Sequence, residues 1–206
     1  MVIVSSFKLN RNELSGIFTI TTDEIILCPL CSGELYYRDS RLRKLKDFLG
    51  DLSYFFVRRL RCQTCKKLHT ELPSIIQPNK HYNSDAIQSV LDGNEAGCTA
   101  DNSTICRWKT EFAAVESDIS QRLGSVYAQM TDETVSTVHT SAILDVIKTK
   151  CKNWLAFVMA LLINNGHKIC TRFAFCPFPS PDTVNSTRNK ETEGSKEDDK
   201  AIENSS

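Results

Sequence analysis

The sequence predicts an α+β fold, with a small β module ahead of a helical domain, and three observations carry that expectation. Apolar and polar residues partly alternate from Leu35 to Phe48, the period of a half-buried strand, and Leu52 to Cys62 returns as an aromatic and β-branched strand. The two runs are separated by Gly50 and Asp51, a hairpin signal. From Asn83 onward the period becomes helical and, with interruptions, stays so to about Asn165. With 41% hydrophobic residues among 206, the chain has enough apolar material for a core.

Residues 1–22 carry one short strand signal, "GIFTIT". "DEIILCPLCSGEL", Asp23 to Leu35, reads as a strand through the β-branched Ile25 and Ile26 that enters a turn at Cys28, Pro29, Cys31 and Gly33. Pro73 and Pro78 forbid a continuous helix through "LHTELPSIIQPNKHYN". Asn83 or Ser84 can then cap a helix that runs through Leu91 and stops at Gly93. A second helix begins in "STICRWKTEF", capped by Asn102 and Ser103, with Ile105, Trp108 and Phe112 on one face. Helical composition continues through Met130, breaks at "TDETVSTVHTS", and resumes from Ser141 to about Asn165, where Gly166 supplies a C-cap. Pro177, Pro179 and Pro181 end the ordered part. The domain reading is therefore an N-terminal segment 1–22, a β module 23–80, a helical domain 81–180 and a disordered acidic tail 181–206.

Four cysteines carry the chemistry. Cys28 and Cys31 form one C-x-x-C, Cys62 and Cys65 another, and a hairpin between them brings the pairs together. Zinc takes four soft ligands tetrahedrally, and a C-x-x-C turn aims two thiolates at one centre. Four protein thiolates leave no open position, so the expected cofactor is one structural zinc ion, which makes the β module a zinc ribbon. Binding energies of about 10–16 kcal/mol for such sites exceed what a small hairpin gains by burial, so metal should fold it. A redox pair needs a thioredoxin-like βαβ setting that neither C-x-x-C has, and inert buried thiols are the remaining alternative. His69 reads as a substitute ligand or as a surface or hydrogen-bonded histidine. Cys98, Cys106, Cys151, Cys170 and Cys176 lack paired spacing and read as ordinary thiols.

Nine cysteines, odd in number and unevenly spaced, argue against a secreted disulfide framework. Together with a start that lacks secretory features, this leads to a cytoplasmic expectation. "WLAFVMALLI" is about half the length of a membrane span, so no membrane association is expected.

Basic and acidic residues balance at 25 each, yet unevenly. From Arg38 to Lys67 ten basic residues face only Asp39, Asp47 and Asp51, whereas the tail from Pro181 has seven acids and four bases. An excess of cations on a zinc hairpin is what phosphate neutralisation requires, and double-stranded DNA is the expected partner. Arg41, Arg43, Lys44, Arg58, Arg59 and Arg61 would meet phosphates. Ser84 to Phe112 reads equally as a helix-turn-helix or as a plain helical hairpin with a solvated basic face. In the first case Thr104 and Arg107 face bases and Lys109 meets phosphate.

"CPLCSGELYYRDSRLRK", "VRRLRCQTCKKLHTELP", "DNSTICRWK" and "WLAFVMALLINNGHKICTRFAF" together resemble an uncharacterised bacterial family of small proteins with a transposase-like zinc-ribbon domain of unknown function. The resemblance covers about Cys28 to Trp108 and extends toward Phe175. It implies ligands at Cys28, Cys31, Cys62 and Cys65 and an association with DNA or a mobile element. Ser32 and Lys66 stand where such knuckles often have glycine, so both turns must tolerate a side chain there.

No Walker loop, Rossmann glycine pattern or Cys/His nucleophile pair occurs, and residues 113–180 leave no room for an RNase H-like catalytic sheet. Glu111, Glu116, Asp118, Asp132 and Glu133 read as solvated positions. The expected function is non-catalytic DNA binding, as a regulator or accessory protein of a mobile element. The alternatives are a protein-interaction adaptor, with a homo-oligomer or protein partner held through the helical domain, and the remnant of a longer transposase.

Overall fold

A computed structural model describes residues 1–131 and 140–167. They form a mixed α+β structure: β1 (Val2–Val4), β2 (Lys8–Arg11), β3 (Phe18–Thr21), β4 (Leu35–Lys46), β5 (Leu52–Cys62), β6 (Leu68–Pro73), α1 (Ser84–Leu91), α2 (Asn102–Thr131), α3 (Thr140–Lys150) and α4 (Trp154–Asn164).

β5 organises the sheet because both of its edges are used. β4 pairs antiparallel along its whole length, from Lys46 opposite Leu52 to Leu35 opposite Cys62. The other edge is divided: β3 runs parallel beside Phe55 and Phe56, and β6 runs antiparallel beside Arg59 to Arg61. β2 completes the sheet beyond β3, and β1 beyond β6. The expected strand at Ile25 and Ile26 is not part of this sheet. Both edges of β5 are taken by other strands, and residues 22–28 form no ladder; Ile25 is 89% exposed.

The amino-terminal "VIV" was not singled out by its pattern, yet β1 lies among the most buried parts of the chain. Val2, Ile3 and Val4 are at most 1% exposed. β6 pairs with one side of β1, and α4 closes the other with a single side chain. Asn164 accepts a hydrogen bond from the Ile3 N–H at 2.9 Å and donates one to the Ile3 carbonyl at 2.8 Å, acting as a surrogate neighbouring strand.

The helices follow the expected apolar faces. α1 begins and ends as anticipated, with the Asn83 side chain accepting from the Ala86 N–H. Ile105 and Trp108 of α2 are buried and Phe112 packs against the core, whereas Asn102 and Ser103 lie inside the first turn, and the Asp101 carbonyl accepts from Thr104 and Ile105. α2 is one 30-residue helix. The segment expected to run unbroken from Ser141 to Asn165 is instead two helices. No proline or glycine causes the break. Gln88 of α1 spans it, donating to the Lys152 carbonyl at 2.7 Å and accepting from the Leu155 N–H at 3.2 Å, and so satisfies backbone groups that both helix ends expose. The break lets α4, apolar nearly all round, bury Trp154, Leu155, Val158, Met159 and Leu162 against the sheet and α1. A single core runs from Val57 and Leu72 of the sheet to these helices.

The expected tail, Cys170, Cys176, Asp132 and Glu133 lie outside the described residues. No helix among the described residues is long and apolar enough to cross a membrane.

Asn164→Ala leaves two buried backbone groups of Ile3 without their side-chain partner. It is expected to lower stability by about 1–3 kcal/mol, read as a fall in the chemical-denaturation midpoint with an unchanged slope.

Candidate metal centre and basic cleft

The hairpin register places the two C-x-x-C turns side by side. β4 starts at Leu35, directly after the first turn, and its partner there is Cys62, where the second begins. In the first turn the Cys28 N–H donates to the Gly33 carbonyl and the Ser32 N–H to the Cys28 carbonyl, both at 2.8 Å. In the second the Cys62 N–H donates to the Lys67 carbonyl at 2.9 Å, and the Gln63 N–H reaches Glu34 of the first at 3.0 Å. Ser32 and Lys66 have φ of 55° and 60°, the left-handed conformation expected where glycine is usual. Gly33 is needed for a different reason. A Cβ there would sit 2.5 Å from Thr64 Oγ1 and 3.1 Å from Cys62 Sγ, so any side chain would force the turns apart.

The four Sγ atoms lie within 4.8 Å of one another, with Cys28 to Cys65 at 3.7 Å and Cys31 to Cys62 at 3.5 Å. A tetrahedral ion bound at about 2.3 Å to each sulfur separates them by about 3.8 Å. The cluster therefore fits one zinc-type ion, and none of the four is in a disulfide. Its electrostatics point the same way. Burial pushes the Cys62 thiol up, but the backbone N–H groups of Cys65 and Thr64 and the neighbouring thiols outweigh this and bring it down to about 6. Cys65 takes the opposite course: although the backbone at Lys67 favours its thiolate, burial and the surrounding Cys31, Cys62 and Cys28 sulfurs push it up to about 12. Four thiolates this close repel one another unless a cation lies between them.

His69 is the hydrogen-bonded histidine of the alternatives, and it is buried. Its Nε2 lies 3.3 Å from Cys28 Sγ and its Nδ1 3.2 Å from the Met1 nitrogen. Burial pushes its pKa below the ordinary value, so it stands neutral beside the sulfurs at neutral pH. Cys98, Cys106 and Cys151 are free thiols away from the cluster.

The α4 terminus meets the first turn. Gly166 has φ 85°, and a Cβ there would lie 2.6 Å from the Pro29 carbonyl oxygen.

The cations divide into two groups. Arg58 makes a bidentate pair with Glu71, a carboxylate only 5% exposed, and Arg59 makes one with Asp39 beside a bulge in β4. Arg43 donates to the Gln77 and Lys80 carbonyls at 3.1 and 2.8 Å, and Lys109 pairs with Glu95. Arg41 and Arg61 are exposed on the hairpin. Lys44 of β4 and Thr104 and Arg107 of α2, sixty residues apart in sequence, line one 560 Å³ cleft. Lys46, Asn79, Lys80, His81, Tyr82 and Trp108 share it, and its acids are Asp101 and Glu111. Glu111 is held by Lys80 at 2.5 Å, with Arg107 3.8 Å away. Burial, then Arg43, Lys44 and Lys46 lower the pKa of His81, the mark of a positive local field. The loop contribution from Lys80 to Tyr82 was not foreseen. "NKHYN" carries cations and an aromatic, and only its packing between β4 and α2 gives them a place.

Residues 28–108 match the family described as Domain of unknown function (DUF6431). Over that segment the chain is similar to this family. The match opens on the first cysteine of the cluster and closes on Trp108 in the cleft wall, so the matched segment spans both cysteine turns, the hairpin, α1 and the first turns of α2. The resemblance to a family of unknown function is thus borne out, and the match carries no transposase association. No curated protein and no solved structure matches the chain.

Metal uptake by the four-cysteine cluster is expected to release protons at neutral pH, because Cys65 keeps its proton until a cation arrives. Affinity should fall more steeply once pH drops below about 6, where Cys62 also holds a proton that competes with metal. Titration calorimetry with zinc in buffers of different ionisation enthalpy measures the first, and the same titration across pH the second. Cys62→Ser should abolish stoichiometric zinc, assayed by elemental analysis, and unfold the hairpin.

Proposed function

We propose that the chain is a non-catalytic, zinc-dependent DNA-binding protein whose metal centre holds the β4–β5 hairpin in place as one wall of a DNA-binding cleft. The observation that carries this reading is the convergence of Lys44 with Thr104 and Arg107 across the cleft, joined by Lys46 and Lys80. Cations outnumber the two cleft acids, and one of those acids is already paired with Lys80. Such a surplus favours phosphate and makes affinity depend on salt. Arg107 is 61% exposed at the start of α2, where its side chain can reach a base edge while the helix N-terminus faces phosphate. Arg41 and Arg61 extend the contact along the hairpin, whereas Arg43, Arg58, Arg59 and Lys109 act mainly through their partners within the chain. A regulatory or accessory role on a mobile element is the setting implied by the resemblance.

A second reading has its own observation. Leu123, Tyr127 and Met130 of α2, Val146 of α3 and Phe157 of α4 line an apolar groove of 430 Å³, with Met130 70% and Phe157 47% exposed. An adaptor would use that groove and not the cleft.

Duplex binding followed by fluorescence anisotropy over a salt series separates the two. The DNA reading expects log affinity to fall linearly with log salt, and the combined Lys44→Ala, Arg107→Ala variant to reduce the slope by about 2. Absence of affinity even at low ionic strength would sink it, and a complex with another protein that survives high salt would favour the adaptor.

A further inference from the structure

The outer face of the β4–β5 hairpin is chemically unlike an ordinary solvated sheet. Three cross-strand pairs lie on it: Leu42 with Phe56, Lys44 with Tyr54 and Lys46 with Leu52. All six residues are exposed, while Phe55 and Val57, on either side of Phe56 in β5, are buried in the core. Tyr54 is 41% and Phe56 38% exposed, so two aromatic rings stand two residues apart on one open face. A sheet with one wet face normally presents polar residues there. Thr19 of β3, paired beside Phe56, and Asn10 of β2 continue the face in polar form, and Lys8 ends it.

Lys44 and Lys46 tie this face to the cleft, since both also line it. Neither makes an ion pair among the described residues; Lys46 Nζ lies 5.6 Å over the Tyr82 ring. The aromatic stripe and the cationic cleft are therefore one continuous surface.

We propose that this face binds single-stranded DNA, with unpaired bases stacked on Tyr54 and Phe56 and the strand's phosphates held by Lys44 and Lys46. This rests on the DNA-binding reading above and names the state of the DNA. Side chains two apart on one face of a strand repeat at about 6.8 Å, twice the 3.4 Å rise of stacked bases. A strand stretched until its bases separate offers one base to each ring. A duplex cannot do so, because its base faces are covered by their neighbours and only edges and phosphates are open. It would meet the lysines and leave the rings bare. Stacking accepts every base, so the face should show little sequence preference.

The test uses the full chain with zinc bound and anisotropy titrations with an oligothymidylate, its RNA counterpart and a DNA duplex of the same length. In the doubly substituted Tyr54→Ala, Phe56→Ala protein, affinity for the single strand should fall about tenfold per ring removed, while duplex affinity stays as it was. The Lys44→Ala, Lys46→Ala protein should lose affinity for both. Photocrosslinking of wild-type protein to an iododeoxyuridine strand should place the adduct on the peptide holding Tyr54 and Phe56, a readout that survives even if the ring variant misfolds. Duplex binding with no single-strand affinity, an unaffected ring variant, or an adduct elsewhere overturns the inference and leaves the DNA reading intact. Tighter binding of the RNA overturns the assignment to DNA. A dimer in sedimentation that the ring substitutions dissolve without changing single-strand affinity gives the face to a second copy. Failure to bind any of the three probes at low salt removes the DNA reading itself.

Discussion

Four cysteine sulfurs within 4.8 Å of one another, which as thiolates repel unless a cation lies among them, are the constraint on which the rest of this structure depends. The sulfurs meet where β5 ends and β4 begins, so whatever neutralises them also closes one end of the hairpin. β5 in turn carries β3, β4 and β6, and β6 carries β1. Gly166, at the end of α4, sits on the Pro29 carbonyl of the first cysteine turn. The metal centre therefore anchors the sheet and abuts the helical layer. A zinc-type ion held by all four thiolates would have no open coordination position.

The cations show how one residue type serves two purposes. Arg58 and Arg59 make bidentate pairs with carboxylates within the chain, and Arg43 directs one guanidinium nitrogen to two carbonyls. The lysines of the same hairpin keep their ammonium groups at the surface, with Lys44 and Lys46 on the rim of the cleft. Charge counted along the sequence adds the two groups together. Only the second projects a field outward.

Gln88, Asn164 and His69 solve three similar problems. Each brings a polar side chain to backbone or sulfur groups that regular secondary structure leaves unpaired: at the α3–α4 break, along β1, and beside Cys28. Polar groups buried this way must be matched, and the matching holds the layers in one arrangement.

The sequence by itself determined the α+β class, the hairpin with its turn at Gly50, the extent of α1, the apolar face of α2 and the four cysteines. These are local: strand and helix periods, turn residues and C-x-x-C spacing act over a few neighbours. Even the left-handed turns at Ser32 and Lys66 were legible, because the geometry of a cysteine turn imposes them wherever glycine is absent. Tertiary structure decided the rest. "VIV" is too short to carry a period, and its burial comes from β6 and Asn164, both distant in sequence. Ile25 and Ile26 have strand propensity, yet they join no strand of the sheet. The break before Trp154 has no local breaker and is held by Gln88. The cleft exists because packing sets "NKHYN" and the start of α2 against β4, and the spatial proximity of charges far apart in the chain is a property of packing that no local pattern encodes.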